Sequence, residues 1–170
     1  MILQIYSKFM DVIAKIEKVF LAVTGVLLVA VVLYQVILRY CFTAANAWSE
    51  ELARYIFIYD ALIASALAIQ KNTHLQVDFL INTLKPKARC ISNIISTLIG
   101  MVFLVFLFSY SLTLCTASSA NMSAGLGVSM MVPYTCIPIG SILMLLASIE
   151  VVLKNIDQLK KLKAEGGTRE

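Results

Sequence analysis

Four long apolar runs, separated by short polar connections, constrain this chain more than any other feature of its sequence. The runs predict membrane spans at about 19–38, 50–70, 90–114 and 132–153, because about 20 apolar residues cross the hydrocarbon core of a bilayer. Backbone polar groups have no water to bond in lipid, so each span is expected to be a helix. The chain is 60% hydrophobic and 14% charged, and the residues outside the spans are too few for a second domain. We therefore predict one all-α membrane domain with four transmembrane helices.

Two segments outside the spans are predicted to be interfacial amphipathic helices. Before the first span, Ile5, Phe9 and Val12 recur at roughly helical spacing, with the lysines elsewhere. A plain helical extension of the first span is the alternative for this N-terminal segment. After the second span, residues 75–84 have apolar residues on one side and stop before Pro86, where a helix is expected to end.

The connection after the second span also carries the only histidine of the chain. His74 and Asp78 are four residues apart and can share one helix face. A single histidine excludes bis-histidine haem ligation within the chain, and no acids or cysteines cluster nearby with zinc-ligand spacing. No cofactor, metal or catalytic group is expected.

The cations alternate between connections, as an even number of spans requires. The connection between the first and second spans has Arg39 alone. Most of the others lie before the first span, between the second and third, and after the fourth: Lys8, Lys15, Lys18, Lys71, Lys85, Lys87, Arg89, Lys154, Lys160, Lys161, Lys163 and Arg169. The connection at 116–131 has no charge. By the positive-inside rule, both termini, including a tail at 154–170, are expected to be cytoplasmic. The net charge of +4 is expected to face anionic membrane lipids rather than nucleic acid.

A cluster of polar and aromatic residues surrounds the beginning of the second span. Its members are Arg39, Tyr40, Trp48, Glu50, Glu51 and Arg54. Ser49 is predicted to cap the helix, and Arg54 follows the two acids by three and four residues, so it can pair with either. A capped helix start at the water boundary explains part of the cluster. A polar lock between helices or between subunits explains the rest, and the sequence leaves both interpretations open.

Asp60 is predicted to lie near the middle of the second span. It follows Ser49 by about 16 Å along a helix axis, and acids at such depth face a bundle interior, a partner or an ion path. A proton or cation site, even a small proton-coupled channel, is one interpretation. The favoured one is a structural aspartate that is hydrogen-bonded by Gln35, Tyr59, Ser65 or a partner chain, because a single carboxylate without a companion base makes a poor ion relay.

The cysteines and glycines near the predicted outer face form no catalytic motif. Cys41, Cys115 and Cys136 lie on that side of the predicted topology, and no C-x-x-C pair is present. Gly125-Leu-Gly127 lacks the strand and the third glycine of a nucleotide loop, so it is predicted to be a plain connection. A four-helix thiol–quinone oxidoreductase remains the alternative function, since such chemistry needs accessible thiols.

Three motifs occur in a specific order: Arg39-Tyr40, then Trp48-Ser-Glu-Glu-Leu-Ala-Arg54, then His74 with Val77-Asp78-Phe-Leu. In this order the chain resembles the small membrane subunit (Q, or DctQ-like) of tripartite ATP-independent periplasmic (TRAP) transporters. It departs from the family pattern at Asp60, where an apolar residue is expected, and at Ala61 and Ala64, where glycine is frequent.

The resemblance implies a bacterial inner-membrane protein that supports the sodium-coupled import of an organic acid, of the sialic acid or C4-dicarboxylate type. Its implied partners are a large M subunit, which carries the sodium and substrate sites and moves like an elevator, and a soluble periplasmic substrate-binding protein. The motif residues are then structural and subunit-interface positions rather than ligands. For Asp60, which departs from the pattern, we expect a structural or interface role on the grounds given above.

Overall fold

The structure, a computed structural model, describes residues 2–42, 46–71 and 86–166. Helices account for most of this part of the chain: α1 Ile2–Cys41, α2 Ala47–Gln70, α3 Pro86–Ala117, the single turn α4 Met131–Tyr134, and α5 Cys136–Gly166. Four helices are long and apolar enough to cross a membrane, over 6–41, 47–70, 90–117 and 131–160. The predicted all-α class with four spanning helices is confirmed. The predicted interfacial helix at 75–84, with His74 and Asp78, lies outside the described residues.

The N-terminal segment is helical, but it is not a separate element. It continues into the first span without a break, as the 40-residue helix α1. This arrangement is the plain extension that the sequence had left as the alternative. The lysines of the segment remain exposed, whereas Met10 and Ala14 are buried, so the amphipathic pattern is used to pack α1 against its neighbours.

The last span is interrupted near its beginning by proline. α4 ends at Tyr134 and α5 begins at Cys136. Pro138 has no N–H to donate to the carbonyl of Tyr134, four residues earlier, so the helix cannot run unbroken through this point. Pro133 lies within the first turn, where its missing N–H costs nothing.

The spanning helices are arranged in a row rather than in a closed bundle. The extensive contacts join α1 to α2, α2 to α5 and α5 to α3, so α1 and α3 lie at opposite edges. In the most apolar 18-residue stretch of each helix, 50% of α5 is buried within the chain but none of α1. The buried core lies around α5 and comprises Met10, Ala66, Ile69, Leu104, Met144, Ala147 and Val151.

The contact between α2 and α5 depends on a glycine. A Cβ atom added at Gly140 would lie 2.8 Å from Leu62 Cβ, closer than two carbon atoms can approach. The missing side chain lets the two helix backbones come together, which is how membrane helices gain packing energy when lipid competes equally for apolar surface.

Gly140→Ala should therefore separate α2 from α5 and destabilise the protein by about 1–3 kcal/mol, the usual cost of overpacking. Gly100→Ala on α3 is the matched control, because nothing lies within 4 Å of the Cβ position and alanine is the better helix former by about 1 kcal/mol. Thermal unfolding in detergent should show a lower midpoint for Gly140→Ala and an unchanged or higher one for Gly100→Ala. Equal midpoints for the two variants would contradict the close contact.

Candidate functional site

Aromatic and basic residues gather at one end of the helices, where α1 ends and α2 begins. We call this end, measured along the helix axes and not across the row, the Trp48 end. The rings of Tyr34 and Trp48 lie 5.9 Å apart at a tilt of 43°, a separation typical of stabilising aromatic pairs. Arg39 and Tyr40 point outwards, and Tyr40 is 80% exposed. The aromatic pair joins α1 to α2, while the interface role of Arg39 and Tyr40 stays a prediction.

The first turn of α2 differs from the predicted one. The helix begins at Ala47 after Asn46, whose backbone is extended, with φ −113° and ψ 101°. Ser49 is therefore not the N-cap; it is buried within the first turn, and its hydroxyl donates to the Asn46 carbonyl at 2.9 Å. The N-cap prediction was wrong because the helix starts three residues earlier than the charged residues suggested.

The two acids of this turn have different partners. Arg54 donates to Glu50 at 3.1 Å, and both side chains are more than 60% exposed, so this ion pair contributes at most about 1 kcal/mol. Glu51 turns instead towards the loop between α3 and α4. Its Oε2 accepts the N–H groups of Gly125 and Leu126, both at 3.0 Å, and the hydroxyl of Ser123. The polar lock involves Glu51 without Arg54.

The loop that Glu51 holds has a defined turn. Ser123 donates its N–H to Val128 at 2.8 Å, Gly127 donates to Ser123 at 3.1 Å, and an isolated antiparallel bridge joins Met122 to Ser129. Gly127 has a φ of 65°, a conformation that favours glycine. The Gly-Leu-Gly connection is thus a loop, as predicted, and its N–H groups bind a carboxylate of the same chain.

Gly125 permits the close approach of this loop to α2. A Cβ atom there would lie 2.8 Å from Glu51 Oε2 and 2.9 Å from the carbonyl carbon and oxygen of Ala47. The backbone of α2 cannot yield to such a contact, so a side chain at this position would push the loop away. The sequence shows a glycine and a serine, Gly125 and Ser123, within a charge-free connection, which is typical of a turn. Nothing in the sequence pairs these two residues with Glu51.

Asp60 connects α2 to α1 at the middle of the spans. Thr24 Oγ1 lies 2.5 Å from Asp60 Oδ1 and 2.7 Å from the Phe20 carbonyl. The predicted partners within the chain do not bond Asp60. Tyr59 donates to the Val132 carbonyl and Ser65 donates to the Ala61 carbonyl. The predicted partner within the chain was therefore wrong, because α1 faces Asp60 with Thr24 and not with Gln35.

Two buried acids were not singled out by the sequence. Glu17 is 7% exposed and Glu150 has no exposed surface. Lys154 Nζ lies 2.7 Å from Glu150 Oε1, one turn away on α5. The two groups form an ion pair, but their geometry is not that of a hydrogen bond. Neither Glu150 oxygen has a hydrogen-bond partner among the described residues. The spacing of Glu150 and Lys154 was the available signal, but it gives no information on burial.

Near Glu150, the first turns of α1 are fastened to α5. The Tyr6 hydroxyl donates to the Leu146 carbonyl at 2.9 Å. We call this the Tyr6 end of the row. Glu150 is buried and Lys154 is half exposed on the same helix, so the contact stays within α5, and an ion pair of this kind only partly recovers the solvation free energy lost on burial.

The described part of the chain contains no constellation for metal binding. No three His, Cys, Asp or Glu side chains come together there. Cys41 is exposed, whereas Cys90, Cys115 and Cys136 are buried, and all four thiols are free. The arrangement can hold helices and a loop together, and it offers polar groups at both ends and in the middle of the row.

Fold and site together define a small multi-pass membrane protein whose polar groups join helices. A sequence profile of the DctQ component of tripartite ATP-independent periplasmic transporters matches residues 28–158, most of the chain. The chain belongs to this family.

Relatives with assigned names are similar over part of their length. The sialic acid TRAP transporter permease protein SiaT of Haemophilus influenzae is 28% identical over 77% of this chain and 20% of its own. The sialic acid TRAP transporter small permease protein SiaQ of Vibrio cholerae is 35% identical over 46% of this chain and 45% of its own. The isethionate TRAP transporter permease protein DctMQ of Oleidesulfovibrio alaskensis is 27% identical over 74% of this chain and 21% of its own. The chain thus spans from a fifth to less than half the length of these relatives.

Glu51→Ala should release the loop, since it leaves the Gly125 N–H without its acceptor and removes one of the two acceptors of the Leu126 N–H, a loss of about 1–3 kcal/mol. Glu50→Ala is the control in the adjacent position, with an expected loss below about 1 kcal/mol because its ion pair is exposed. Thermal unfolding in detergent measures the difference, and amide hydrogen exchange at 118–130 should accelerate only in Glu51→Ala. Equal exchange in the two variants would show that Glu51 does not hold the loop.

Proposed function

We propose that this chain is the small scaffold subunit of a TRAP transporter that imports an organic acid with sodium. Its companion is a large multi-span M subunit, which carries the substrate and sodium sites and moves like an elevator. A soluble periplasmic binding protein delivers the acid. This chain widens the stationary scaffold against which the large subunit moves its transport part.

The observation that carries the proposal is the open row of helices. A chain that formed a transport path by itself would need helices arranged around a central site, typically with broken helices at the midplane. Here the break between α4 and α5 is at the Trp48 end, and α1 leaves its most apolar stretch outside the core. Such a surface suits a companion protein in the membrane.

Two of the relatives support the proposal that this chain has a larger partner subunit. SiaT and DctMQ are permease proteins of which the matching part is about a fifth, so most of each protein lies outside that part. We infer that this chain has the role that the matching part has within those longer proteins.

The relatives also support the class of the transported molecule. Two of them are named for sialic acid and one for isethionate, all of them organic acids. We propose a sialic acid as the first substrate to test, with C4-dicarboxylates as the alternative. The distribution of lysine and arginine supports an inner-membrane orientation with both termini in the cytoplasm.

The burial of two of the three cysteines counts against the thiol–quinone alternative. Cys115 and Cys136 are buried, so neither thiol is open to a redox partner. Asp60 as a channel acid is not favoured either, because its Oδ1 is bonded to Thr24 and Asp60 belongs to no group of three or more His, Cys, Asp or Glu side chains among the residues described.

An affinity tag on this chain should recover the large permease subunit from native membranes at near-equal amount, and deletion of this chain should abolish uptake of labelled sialic acid or dicarboxylate. Replacing Cys41, Cys115 and Cys136 together by serine is the control, and uptake should persist because no thiol takes part. Quantitative mass spectrometry of the eluate and a filter assay of uptake measure both. Recovery of the tagged chain alone, with uptake unaffected by its deletion, would reject the proposal.

A further inference from the structure

Asp60 keeps one carboxyl oxygen without a partner at the deepest point of the spans. It lies 13 residues after Ala47 and 10 before Gln70, about 20 Å and 15 Å along the helix axis. Oδ1 is bonded to Thr24. Oδ2 has no hydrogen bond within the described chain, and it is not among the enclosed atoms that lack one, since those belong to Glu150. The oxygen therefore reaches the surface of the chain.

The surface around Asp60 faces away from α5. The residues of α2 that contact α5 include Leu62, Ala66 and Ile69. Ala61, Ala64 and Phe57 lie on the opposite side by helical periodicity, and all three are exposed. The result is a shallow face with two small residues beside a carboxyl group, bordered by α1.

Lipid cannot supply a hydrogen bond to the free carboxyl oxygen of this face. Acyl chains offer no hydrogen-bond donor, and an unpaired polar group in hydrocarbon costs several kcal/mol. Acids at this depth are rare and are paired with a donor or with an opposite charge. Small residues beside the acid allow another helix backbone to come close, which is the usual pattern of membrane helix contacts.

We propose that the face formed by Asp60, Ala61, Ala64 and Phe57 docks a transmembrane helix of the large permease subunit, which donates a hydrogen bond from a polar or basic side chain to Asp60 Oδ2. The inference rests on the proposed function for the identity of the partner. Thr24 bonds the other carboxyl oxygen, Oδ1, from α1, so Oδ2 is the oxygen that is left for the partner. The opposite edge of the row, α3, then faces lipid.

Photo-crosslinking from two matched phenylalanines tests which face is covered. Phe57 is 61% exposed next to Asp60, and Phe103 is 64% exposed on α3. The photoreactive analogue p-benzoylphenylalanine is incorporated at either position in cells that contain the whole transporter, and the adducts are identified by mass spectrometry. The position of Phe57 should give an adduct with the large subunit, at a higher yield than the position of Phe103. An adduct of this chain with a second copy, adducts with lipid only, or a yield at Phe103 equal to or above that at Phe57 would overturn the proposal.

A second experiment tests the role of the free oxygen. Asp60→Leu and Asp60→Ala should lower recovery of the large subunit about three- to tenfold, the range expected for one interhelical hydrogen bond in a membrane. Thr24→Val is the control, because it removes the bond within the chain and leaves Oδ2 in place, so recovery should be maintained. If Asp60→Leu fails to accumulate in the membrane, the smaller Asp60→Ala carries the test. Recovery that is unchanged in the accumulating Asp60 variant would overturn the proposal.

The unmodified chain distinguishes failure of this inference from failure of the proposed function. If it recovers the large subunit while the Asp60 variants do so equally well, only the docking face is wrong. If the unmodified chain recovers no large subunit at all, the proposed function itself fails.

Discussion

Helices in a hydrocarbon core are not driven together by apolar burial, because lipid tails solvate a leucine side chain as well as another helix does. They are held by close approach at small residues and by polar groups that lipid cannot satisfy. This chain uses both. Gly140 brings α5 against Leu62 of α2, and Thr24 bonds Asp60 to join α1 to α2. The Tyr34–Trp48 ring pair and the Tyr6–Leu146 hydrogen bond also join α1 to its neighbours.

The two ends of the row are fastened by polar contacts of different kinds. At the Trp48 end, Glu51 binds the loop between α3 and α4, and this contact holds the loop against the first turn of α2. At the Tyr6 end, Tyr6 is bonded to α5, and Glu150 lies buried beside Lys154. Polar contacts thus join the helices at both ends and in the middle, which agrees with the supporting role proposed above. Its apolar edges remain available for a companion.

The spans could be predicted from the sequence because length and apolar character alone decide whether a helix crosses a bilayer. The observed helix ends differ from the predicted span ends by several residues, as at Ala47, because the polar residues that flank a span are also helical. The partners of Glu51 and Asp60 could not be predicted. They depend on which helices are neighbours, and the order α1, α2, α5, α3 leaves no mark in the periodicity of a single helix. The burial of Glu150 was missed for the same reason.

The central claim is that this chain supports transport without performing it. The most direct measurement is uptake into vesicles that contain this chain alone, the large permease subunit alone, or both, with the soluble binding protein, labelled acid and a sodium gradient supplied outside. The account predicts accumulation only where both membrane chains are present. Accumulation in vesicles that contain this chain alone would contradict it.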